Sequence, residues 1–324
     1  MSRAMRIHEY GKAENMIWEE VDVREPVDDE VRIRHTAVGL NYIDVYQRTG
    51  LYDIGPLPAT LGMEGAGVVD KVGPDVDGFL VGDRVVYAMS LGAYSELRII
   101  KADMLVKLPE SIEDSVAAAM MLQGMTSQYL LKSSYIVGAG DTILVMAAAG
   151  GVGQILCQWA RHLGANVIGC VGSEAKAEIA RAAGCNHTIL YNSEDVAARV
   201  LDITNGRGVP VSYDSVGQAT LQASLDSLAP AGVLVSFGNA SGPILDLNPG
   251  ILAAKGSLYL QRPTLATYTR NRELLEAVSD DLFGVVSSGK VKINVGQTYP
   301  LHDAIQAHKD IEGRTTTGST VLLP

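Results

Sequence analysis

A short apolar run leads directly into a turn of small residues at positions 140–153. Ile143–Met146 has the length and branching of a buried parallel strand, and apolar residues recur at helical spacing over 152–163. An alanine and two glycines between them occupy the three positions of a G-x-G-x-x-G fingerprint. Small residues there let backbone amides approach a pyrophosphate at the helix N-terminus. The predicted cofactor-binding residues of this turn are Ala148, Gly150, Gly151, Val152 and Gly153.

The residues after the next apolar strand bear on the choice of cofactor. Folds that prefer NAD carry an acidic residue about twenty residues after the glycine turn, where it bonds the ribose 2′-hydroxyl. Here the stretch reads Gly172-Ser173-Glu174-Ala175-Lys176, and Ser173 with Lys176 suits a 2′-phosphate better than a diol. Glu174 keeps open an NADH site, or it only favours the N-terminus of the following helix. Lys176 is alternatively a solvated surface charge. We predict NADPH as the cofactor.

Composition narrows the class of protein. The chain has 324 residues, a net charge of −11 and a pI near 5.0, which argues against nucleic acid or an anionic membrane as the main partner. No apolar stretch has transmembrane length and no signal-peptide core follows the N-terminus, so we expect a soluble, cytoplasmic protein. The three cysteines lack C-x-x-C spacing, which predicts buried free thiols: Cys157, Cys170 and Cys185.

The pattern of predicted secondary structure changes near residue 123. Short strands broken by Gly, Pro and Asp fill residues 3–110 and indicate an antiparallel, barrel-like domain. Strands then alternate with helices to about residue 260, which predicts a doubly wound parallel sheet of Rossmann type, an α/β fold. A helical pattern over 270–288 and an apolar tail ending in Val321, Leu322 and Leu323 are expected to return to the first domain. The predicted domains are therefore 1–122 with 263–324, and 123–262.

Several segments carry a resemblance to a known family. They are Asn41–Tyr52, Gly82–Tyr87, Tyr213–Gly217 and Val235–Asn239, which follow one another in the order of a barrel-like domain and a glycine-turn domain. The whole chain resembles the medium-chain dehydrogenase/reductase superfamily, and within it the NADPH:quinone oxidoreductase branch related to zeta-crystallin. The resemblance implies a GroES-like catalytic domain and a homodimer joined through edge strands. The run Gly256–Leu260 is such an edge or an internal strand.

The zinc ligands of the superfamily's alcohol dehydrogenases are missing. The Gly-His-Glu segment of those enzymes reads Gly62-Met63-Glu64 here, and a thioether does not suit Zn²⁺. No cysteine precedes Cys157, and the six histidines show no metal-binding spacing. We therefore predict no metal site. Without a Lewis acid, an electron-poor conjugated acceptor is the expected substrate, because hydride addition to a quinone gives a delocalised phenolate rather than an alkoxide.

The resemblance also implies site residues. It places three residues at the acceptor as the catalytic set, of which Asn41 is able to donate to a carbonyl oxygen and the tyrosines to stack on a flat ring: Asn41, Tyr46 and Tyr52. The tyrosines are alternatively core residues, and Arg314 alternatively a surface charge. No general acid is evident, so water is the expected proton source. The implied cofactor neighbours are Thr126, Tyr191, Ser215, Phe237, Gly238, Ser241 and Arg314.

Three functional hypotheses remain open on this sequence. The first is NADPH-dependent hydride transfer to quinones, with a one-electron route to semiquinones as a variant. The second is an NADPH-dependent reductase of alkenal or enone double bonds. The third is a noncatalytic NADPH-binding protein, because cofactor binding and hydride transfer are separable; the acidic composition argues against an RNA-binding form of it.

Overall fold

The computed structural model describes residues 2–324, which form sixteen β-strands and eleven α-helices. The strands are β1 Ser2–Ile7, β2 Met16–Val21, β3 Glu30–Leu40, β4 Ala59–Thr60, β5 Glu64–Val72, β6 Arg84–Ala88, β7 Leu97–Lys101, β8 Val106–Lys107, β9 Thr142–Met146, β10 Asn166–Val171, β11 His187–Leu190, β12 Val209–Asp214, β13 Leu228–Ser236, β14 Tyr259–Gln261, β15 Val295–Pro300 and β16 Ser319–Leu323. The helices are α1 Tyr42–Thr49, α2 Asp114–Ala118, α3 Met121–Tyr129, α4 Gly151–His162, α5 Glu174–Ala182, α6 Val196–Ile203, α7 Leu221–Asp226, α8 Gly250–Ala254, α9 Leu265–Tyr268, α10 Arg272–Ser287 and α11 Ala304–Glu312. A π-helical turn, Leu130–Ser134, follows α3.

The chain packs into two compact units. The first ends at Gln123 and also includes Asn271–Phe283 and Ile293–Pro324. The second comprises Gly124–Arg270 and Gly284–Lys292.

The first unit is built on antiparallel strands. Its larger sheet has the order β15-β16-β3-β5-β6-β8, with β7 also paired to β3, and its smaller sheet has the order β2-β1-β4. Every pair in these sheets is antiparallel except β15 with β16. Apolar residues that alternate along the strands, such as Ile33 on β3 and Val85 on β6, fill one core. The tail strand β16 pairs with β3 of this unit.

The second unit is a parallel sheet flanked by helices. Its strand order is β11-β10-β9-β12-β13-β14, and each neighbouring pair is parallel. Counted from β9, this is the order 3-2-1-4-5-6 of dinucleotide-binding folds, whose strand order reverses between the first and fourth strands. The predicted fold class, a doubly wound Rossmann sheet with a separate GroES-like mainly β domain, is confirmed.

Two narrower predictions are decided by the structure. The run Gly256–Leu260 leads into β14, which lies at the end of the six-stranded sheet and is therefore an edge strand. All three cysteines are free and buried, as predicted. Cys157 and Cys185 lie close together, with 3.5 Å between their Sγ atoms. Burial raises the pKa of the Cys170 thiol well above its usual value, so this side chain behaves as a small apolar residue.

Candidate functional site

The glycine turn connects the end of β9 to the start of α4. Ala147 lies in the left-handed region at φ 55°, and its carbonyl accepts the Gly150 amide at 3.0 Å. A Cβ atom on Gly153 would lie 2.4 Å from that carbonyl oxygen, so only glycine lets the helix approach the turn this closely. Gly150 is the N-cap of α4 and offers no side chain to the first helical amides, which are therefore available to an anion. Gly151 and Val152 form the first turn of this helix.

The end of β10 forms a second small-residue cradle. A Cβ atom on Gly172 would lie 2.7 Å from the Tyr191 hydroxyl, and the Asn192 amide nitrogen donates to the Gly172 carbonyl at 2.7 Å. Ser173 is the N-cap of α5 and accepts the Lys176 backbone amide at 3.4 Å. One turn is thus surrounded by Ser173, Lys176 and Tyr191, although Tyr191 is distant from the other two in the sequence. Asn192 has no counterpart among the predicted residues.

Glu174 forms an ion pair with Arg181 on the same helix. The pair is exposed, so its contribution to stability is small. The guanidinium lies against the carboxylate that would otherwise be available to bond a ribose diol. The geometry therefore supports the 2′-phosphate interpretation of this turn over the NADH alternative.

The loops after β12 and β13 complete the cofactor edge of the sheet. A Cβ atom on Gly238 would lie 2.3 Å from the Ser215 carbonyl oxygen, so these two loops touch. The Ser241 hydroxyl donates to the Val216 carbonyl at 2.8 Å and accepts the Ala219 amide at 3.0 Å, which ties the loop after β13 to the loop after β12. Phe237 directly follows β13 and donates its amide to the carbonyl of Asp214.

Asp214 is a structural residue that the sequence does not single out. Its buried carboxylate accepts the hydroxyls of Thr220 and Ser224 at 2.7 Å each and the Val216 amide at 2.7 Å. These bonds hold the loop that contains Ser215. Thr126, another predicted cofactor neighbour, is buried on α3 and hydrogen-bonded to the Tyr129 side chain.

In the first unit, Asn41 is the centre of a buried polar cluster. Its Nδ2 donates to Glu64 Oε2 at 2.7 Å, and its Oδ1 accepts Gln123 Nε2 at 3.1 Å. The other carboxylate oxygen of Glu64 accepts the Leu122 amide at 2.8 Å. Glu64 is fully buried, and desolvation raises its pKa to about 8 despite these donors. Gln123 and Glu64 are the partners of Asn41 that no motif in the sequence identifies.

A second buried carboxyl group lies beside the first. Asp44 Oδ2 accepts the Asn41 backbone amide at 2.8 Å and the Tyr94 hydroxyl at 3.0 Å, and burial raises the pKa of Asp44 to about 7. The Tyr94 hydroxyl also lies 3.1 Å from His308 Nε2. Burial lowers the pKa of His308 to about 3, so this imidazole is neutral near neutral pH.

The predicted tyrosines lie on and after α1. The ring centroids of Tyr46 and Tyr52 are 5.3 Å apart in an edge-on contact, and those of Tyr42 and Tyr46 are 5.7 Å apart. Tyr46 is 8% exposed, so most of its ring is packed. Arg314 has a positive φ of 58°, and its charge acts on Tyr42. Asn41 is the N-cap of α1, Tyr46 lies on this helix, and Tyr52, which follows it, contacts Tyr46.

We expect Gly39→Ala to lower the free energy of unfolding by about 3 kcal/mol, the upper end for overpacking. A Cβ atom on Gly39 would lie 2.1 Å from the Ala118 carbonyl oxygen and 2.5 Å from Glu64 Oε2. Urea unfolding followed by circular dichroism checks this value. The matched control is Gly284→Ala, because a Cβ on Gly284 meets open space in a helix and alanine is the better helix former. Equal unfolding midpoints for the two variants would contradict the tight packing at Gly39.

Metal-ligand clusters and membrane-spanning helices are both absent from residues 2–324. No group of three or more His, Cys, Asp or Glu side chains within them has the arrangement of a metal site. None of the helices in that range combines the length and apolarity needed to cross a membrane.

Comparison with known proteins gives matches over the whole chain. Residues 27–110 match the alcohol dehydrogenase GroES-like domain, and residues 151–280 match the zinc-binding dehydrogenase family. A quinone oxidoreductase of Pseudomonas aeruginosa is 50% identical, with 100% of both chains covered. A 2-haloacrylate reductase of Burkholderia sp. is 46% identical, with 100% of this chain and 99% of that protein covered.

A solved structure agrees with these sequence matches. The Escherichia coli quinone oxidoreductase, crystallised as a complex with NADPH, is 45% identical and superposes with a TM-score of 0.98 over 100% of both chains. Together with the strand order, the glycine turn and the motifs around Asn41, this establishes that the chain belongs to the quinone oxidoreductase family.

Proposed function

We propose that the protein transfers a hydride from NADPH to quinones, giving hydroquinones, without a catalytic metal. The observation that carries the proposal is that Gly153 and Gly172 have no room for a side chain. A Cβ atom on Gly153 would lie within 3 Å of backbone atoms, and one on Gly172 within 3 Å of the Tyr191 hydroxyl. Because the N-cap Gly150 has no side chain, the first backbone amides of α4 have no capping partner and are available to a ligand. NADPH, when bound, supplies the hydride; the residues of the chain bind, orient and exclude water.

The proposed cofactor residues divide by the part of NADPH they hold. The turn of Ala148, Gly150, Gly151, Val152 and Gly153 holds the pyrophosphate. Ser173, Lys176 and Tyr191 hold the 2′-phosphate, with Arg314 as a further cation and Gly172 as the place where the ribose approaches the backbone. Thr126, Ser215, Phe237, Gly238 and Ser241 hold the ribose and carboxamide at the nicotinamide end. The Ser241 hydroxyl is half-buried and already bonded to the loop after β12, which favours a role as acceptor or spacer there.

The proposed acceptor residues are Asn41, Tyr46 and Tyr52. One Nδ2 hydrogen of Asn41 is held by Glu64, and the second is directed elsewhere, so the amide is able to donate to a developing phenolate oxygen. Tyr52 is partly exposed and contacts the packed Tyr46 ring edge-on, and its own ring offers a flat apolar surface for a quinone ring. The main catalytic contribution is to hold donor and acceptor at reacting distance, and water supplies the final proton.

The test of the proposal is the loss of NADPH absorbance with 1,4-benzoquinone as acceptor and EDTA present throughout. We expect rapid oxidation of NADPH that EDTA does not slow, and slower oxidation of NADH. No turnover with either cofactor overturns the quinone proposal. Turnover that produces semiquinone, detected by electron spin resonance, assigns the one-electron route instead.

A second candidate has its own supporting observation, the 46% identity to a 2-haloacrylate reductase over the full chain. That protein's name describes reduction of a conjugated double bond. Turnover of an enone faster than that of any quinone in a parallel assay favours this activity. Stabilisation by NADPH in a melting experiment, with no turnover across both acceptor classes, favours the noncatalytic binder.

We expect Lys176→Glu to raise the KM for NADPH by about tenfold, equivalent to about 1.4 kcal/mol, and to leave the KM for NADH nearly unchanged. The reason is that a carboxylate at the first turn of α5 repels a 2′-phosphate but not a 2′-hydroxyl. Steady-state kinetics with both cofactors gives the two values. Lys290→Glu, at an exposed position outside this turn, is the charge-matched control. Equal changes in both KM values would contradict the assignment.

We also propose a cytoplasmic homodimer. Strand β14 is an edge strand, and its Tyr259 and Leu260 are 62% and 36% exposed, which leaves apolar surface beside unpaired backbone groups. Pairing of β14 with its copy in a second chain covers both. Light scattering coupled to size exclusion measures the mass, and a monomer at micromolar concentration overturns this proposal. The net charge of −11 supports the absence of a nucleic-acid partner.

A further inference from the structure

Four buried side chains form one hydrogen-bond chain in which every donor points toward the same end. Ser319 Oγ donates to Gln123 Oε1 at 2.7 Å, and Gln123 Nε2 donates to Asn41 Oδ1 at 3.1 Å. Asn41 Nδ2 then donates to Glu64 Oε2 at 2.7 Å. None of the four residues is more than 7% exposed. The chain joins β16, α3, the start of α1 and β5.

The direction of the chain follows from the chemistry of its last member. A primary amide offers NH₂ at one end and oxygen at the other, so Asn41 and Gln123 each have two orientations of nearly equal shape. An ionised carboxylate only accepts hydrogen bonds. Glu64 as a carboxylate therefore requires Nδ2 of Asn41, which in turn requires the NH₂ of Gln123 and the hydroxyl hydrogen of Ser319.

A neutral Glu64 permits the opposite direction. Its Oε1 accepts the Leu122 amide, so the carboxyl proton belongs on Oε2, which faces Asn41. That O–H donates to Asn41 Oδ1, Asn41 Nδ2 donates to Gln123, and Gln123 donates to Ser319 Oγ. Each of the four side chains keeps a partner within this hydrogen-bond chain in both directions. The opposite direction requires the Ser319 hydroxyl hydrogen to turn away from Gln123, so the two states differ in the orientation of the amides and of that hydroxyl.

We propose that ionisation of Glu64 sets the direction of this chain, and thereby which end of the Asn41 amide is presented to the acceptor. Glu64, Gln123 and Ser319 are then positioning residues for Asn41. With Glu64 ionised, Asn41 keeps its NH₂ in the orientation that donates to the acceptor oxygen. With Glu64 neutral, oxygen replaces it and the donor is lost. The inference rests on the proposed function, in which Asn41 donates to the acceptor.

Other groups that act on Glu64 come from three elements. Asp44 on α1 raises the pKa of Glu64, and Tyr87 on β6 and Tyr94 after β6 also interact with its charge. Burial raises the pKa of both tyrosines above their usual value. Between about pH 6.5 and about pH 9, Glu64 and Asp44 are therefore the two members of this group that titrate, with pKa values of about 8 and about 7.

Glu64→Gln tests the inference with a matched shape. Its oxygen must accept the Leu122 amide, so its NH₂ faces Asn41 and locks the chain in the opposite direction at every pH. With 9,10-phenanthrenequinone as acceptor, we expect kcat/KM of the variant to be lower than wild type by roughly tenfold or more at about pH 9, the order expected for loss of one preorganised donor. At about pH 6.5, where wild-type Glu64 is neutral, the two values converge. The Kd for NADPH stays close to wild type, and the Tm stays close at about pH 6.5, where wild-type Glu64 is neutral.

Two further variants keep the test decisive. The double variant Glu64→Gln with Gln123→Glu keeps the same two side-chain types and the same net charge, but it reverses the direction of the hydrogen bonds. We therefore expect this variant also to lack the rise of kcat/KM with pH. Asp44→Asn removes a buried carboxyl group that contacts the Asn41 backbone rather than its side chain. It keeps the rise, with its midpoint at lower pH because a neighbouring negative charge is gone.

The outcomes separate the inference from the proposed function. Wild-type protein that oxidises no NADPH with any acceptor refutes the proposed function. Active wild type whose kcat/KM does not rise with pH, or a ratio of variant to wild type that is constant with pH, overturns the inference. A purely structural role for Glu64 gives the second result, because lost stability lowers activity alike at both pH values. Loss of the rise in Asp44→Asn also overturns it.

Discussion

Gly153→Ala is expected to weaken NADPH binding by about 100-fold or more, equivalent to about 2.7 kcal/mol. The added Cβ atom would lie 2.4 Å from the Ala147 carbonyl oxygen and 2.8 Å from Ala148 Cα. Both are backbone atoms at the end of β9, so they cannot rotate away as a side chain would. The first turn of α4 must move instead, and with it the amides that we propose hold the pyrophosphate. Isothermal titration with NADPH measures the change.

Alanine substitutions at two other glycines of the same unit should weaken NADPH binding less, because a Cβ atom there has more room. A Cβ on Gly150 would lie 3.3 Å from the Ala147 oxygen, a contact that a small shift relieves, so Gly150→Ala should weaken binding by only about tenfold. A Cβ on Gly138 meets only Asp141 Oδ2 at 3.7 Å, and Gly138→Ala should bind NADPH as wild type does. Unfolding midpoints are recorded for all three. Wild-type affinity in a folded Gly153→Ala would refute the proposed pyrophosphate site.

The Rossmann half was predictable because its signals are local. The switch from an apolar run to helical spacing lies within about twenty residues around Gly150, and β9 and α4 form where that period changes. Ser173 at the N-cap of α5 follows the same logic, since a hydroxyl before a helical run caps it. The sequence does not distinguish an edge from an internal position for β14, because a short apolar strand has the same pattern at either place in a parallel sheet.

The buried polar cluster was not predictable, because its partners are distant in sequence. Ser319 and Gln123 are 196 residues apart, and Asn41 and Glu64 are 23 apart with no shared motif. A serine, a glutamine and an asparagine also read as ordinary surface residues when nothing shows that they are buried. Glu64 follows Met63 in the altered zinc segment, which predicts a missing zinc ligand and at most a hydrogen-bonding role for Glu64, without indicating its partner. The bonds that orient Asn41 appear once β3, β5 and β16 have paired.

The stability of the protein should be greatest between about pH 4.5 and about pH 6.5 and fall on both sides. Glu64 and Asp44 have folded pKa values of about 8 and about 7, raised by burial from 4.5 and 3.8. Such groups stabilise fully below the unfolded pKa, and the stabilisation is lost as pH rises to the folded pKa. His35 and His308 have folded pKa values of about 3, lowered by burial from 6.5. Their contribution is full above 6.5 and is lost as pH falls.

Each of these groups changes the free energy of unfolding by about 1.4 kcal/mol per pH unit within its window. Between about pH 4.5 and about pH 6.5 the two carboxyl groups and the two imidazoles have opposite slopes and cancel, which gives the plateau. From about pH 6.5 to about pH 8 only the carboxyl groups act, and we expect a loss of roughly 2–3 kcal/mol. From about pH 4.5 to about pH 3.8 Asp44 still offsets one imidazole, and the net loss is roughly 1.4 kcal/mol per pH unit. Below about pH 3.8 only the imidazoles act, with a loss of roughly 3 kcal/mol per pH unit, until they are protonated near their folded pKa of about 3.

Urea unfolding at a series of pH values measures this profile. Two variants then identify the groups responsible for the loss of stability at alkaline pH and at acid pH. Glu64→Gln removes the larger alkaline contribution, so the loss from about pH 6.5 to about pH 8 should shrink to below about 1 kcal/mol, which is the share of Asp44. His308→Gln should roughly halve the slope on the acid side, because His35, bonded through its ring nitrogens to Ser95 and Tyr87, still titrates. An alkaline loss that is unchanged in Glu64→Gln would show that Glu64 is ionised in the folded protein at neutral pH. The direction of the Asn41 chain would then be fixed throughout the physiological range, so this stability profile and the activity profile must agree.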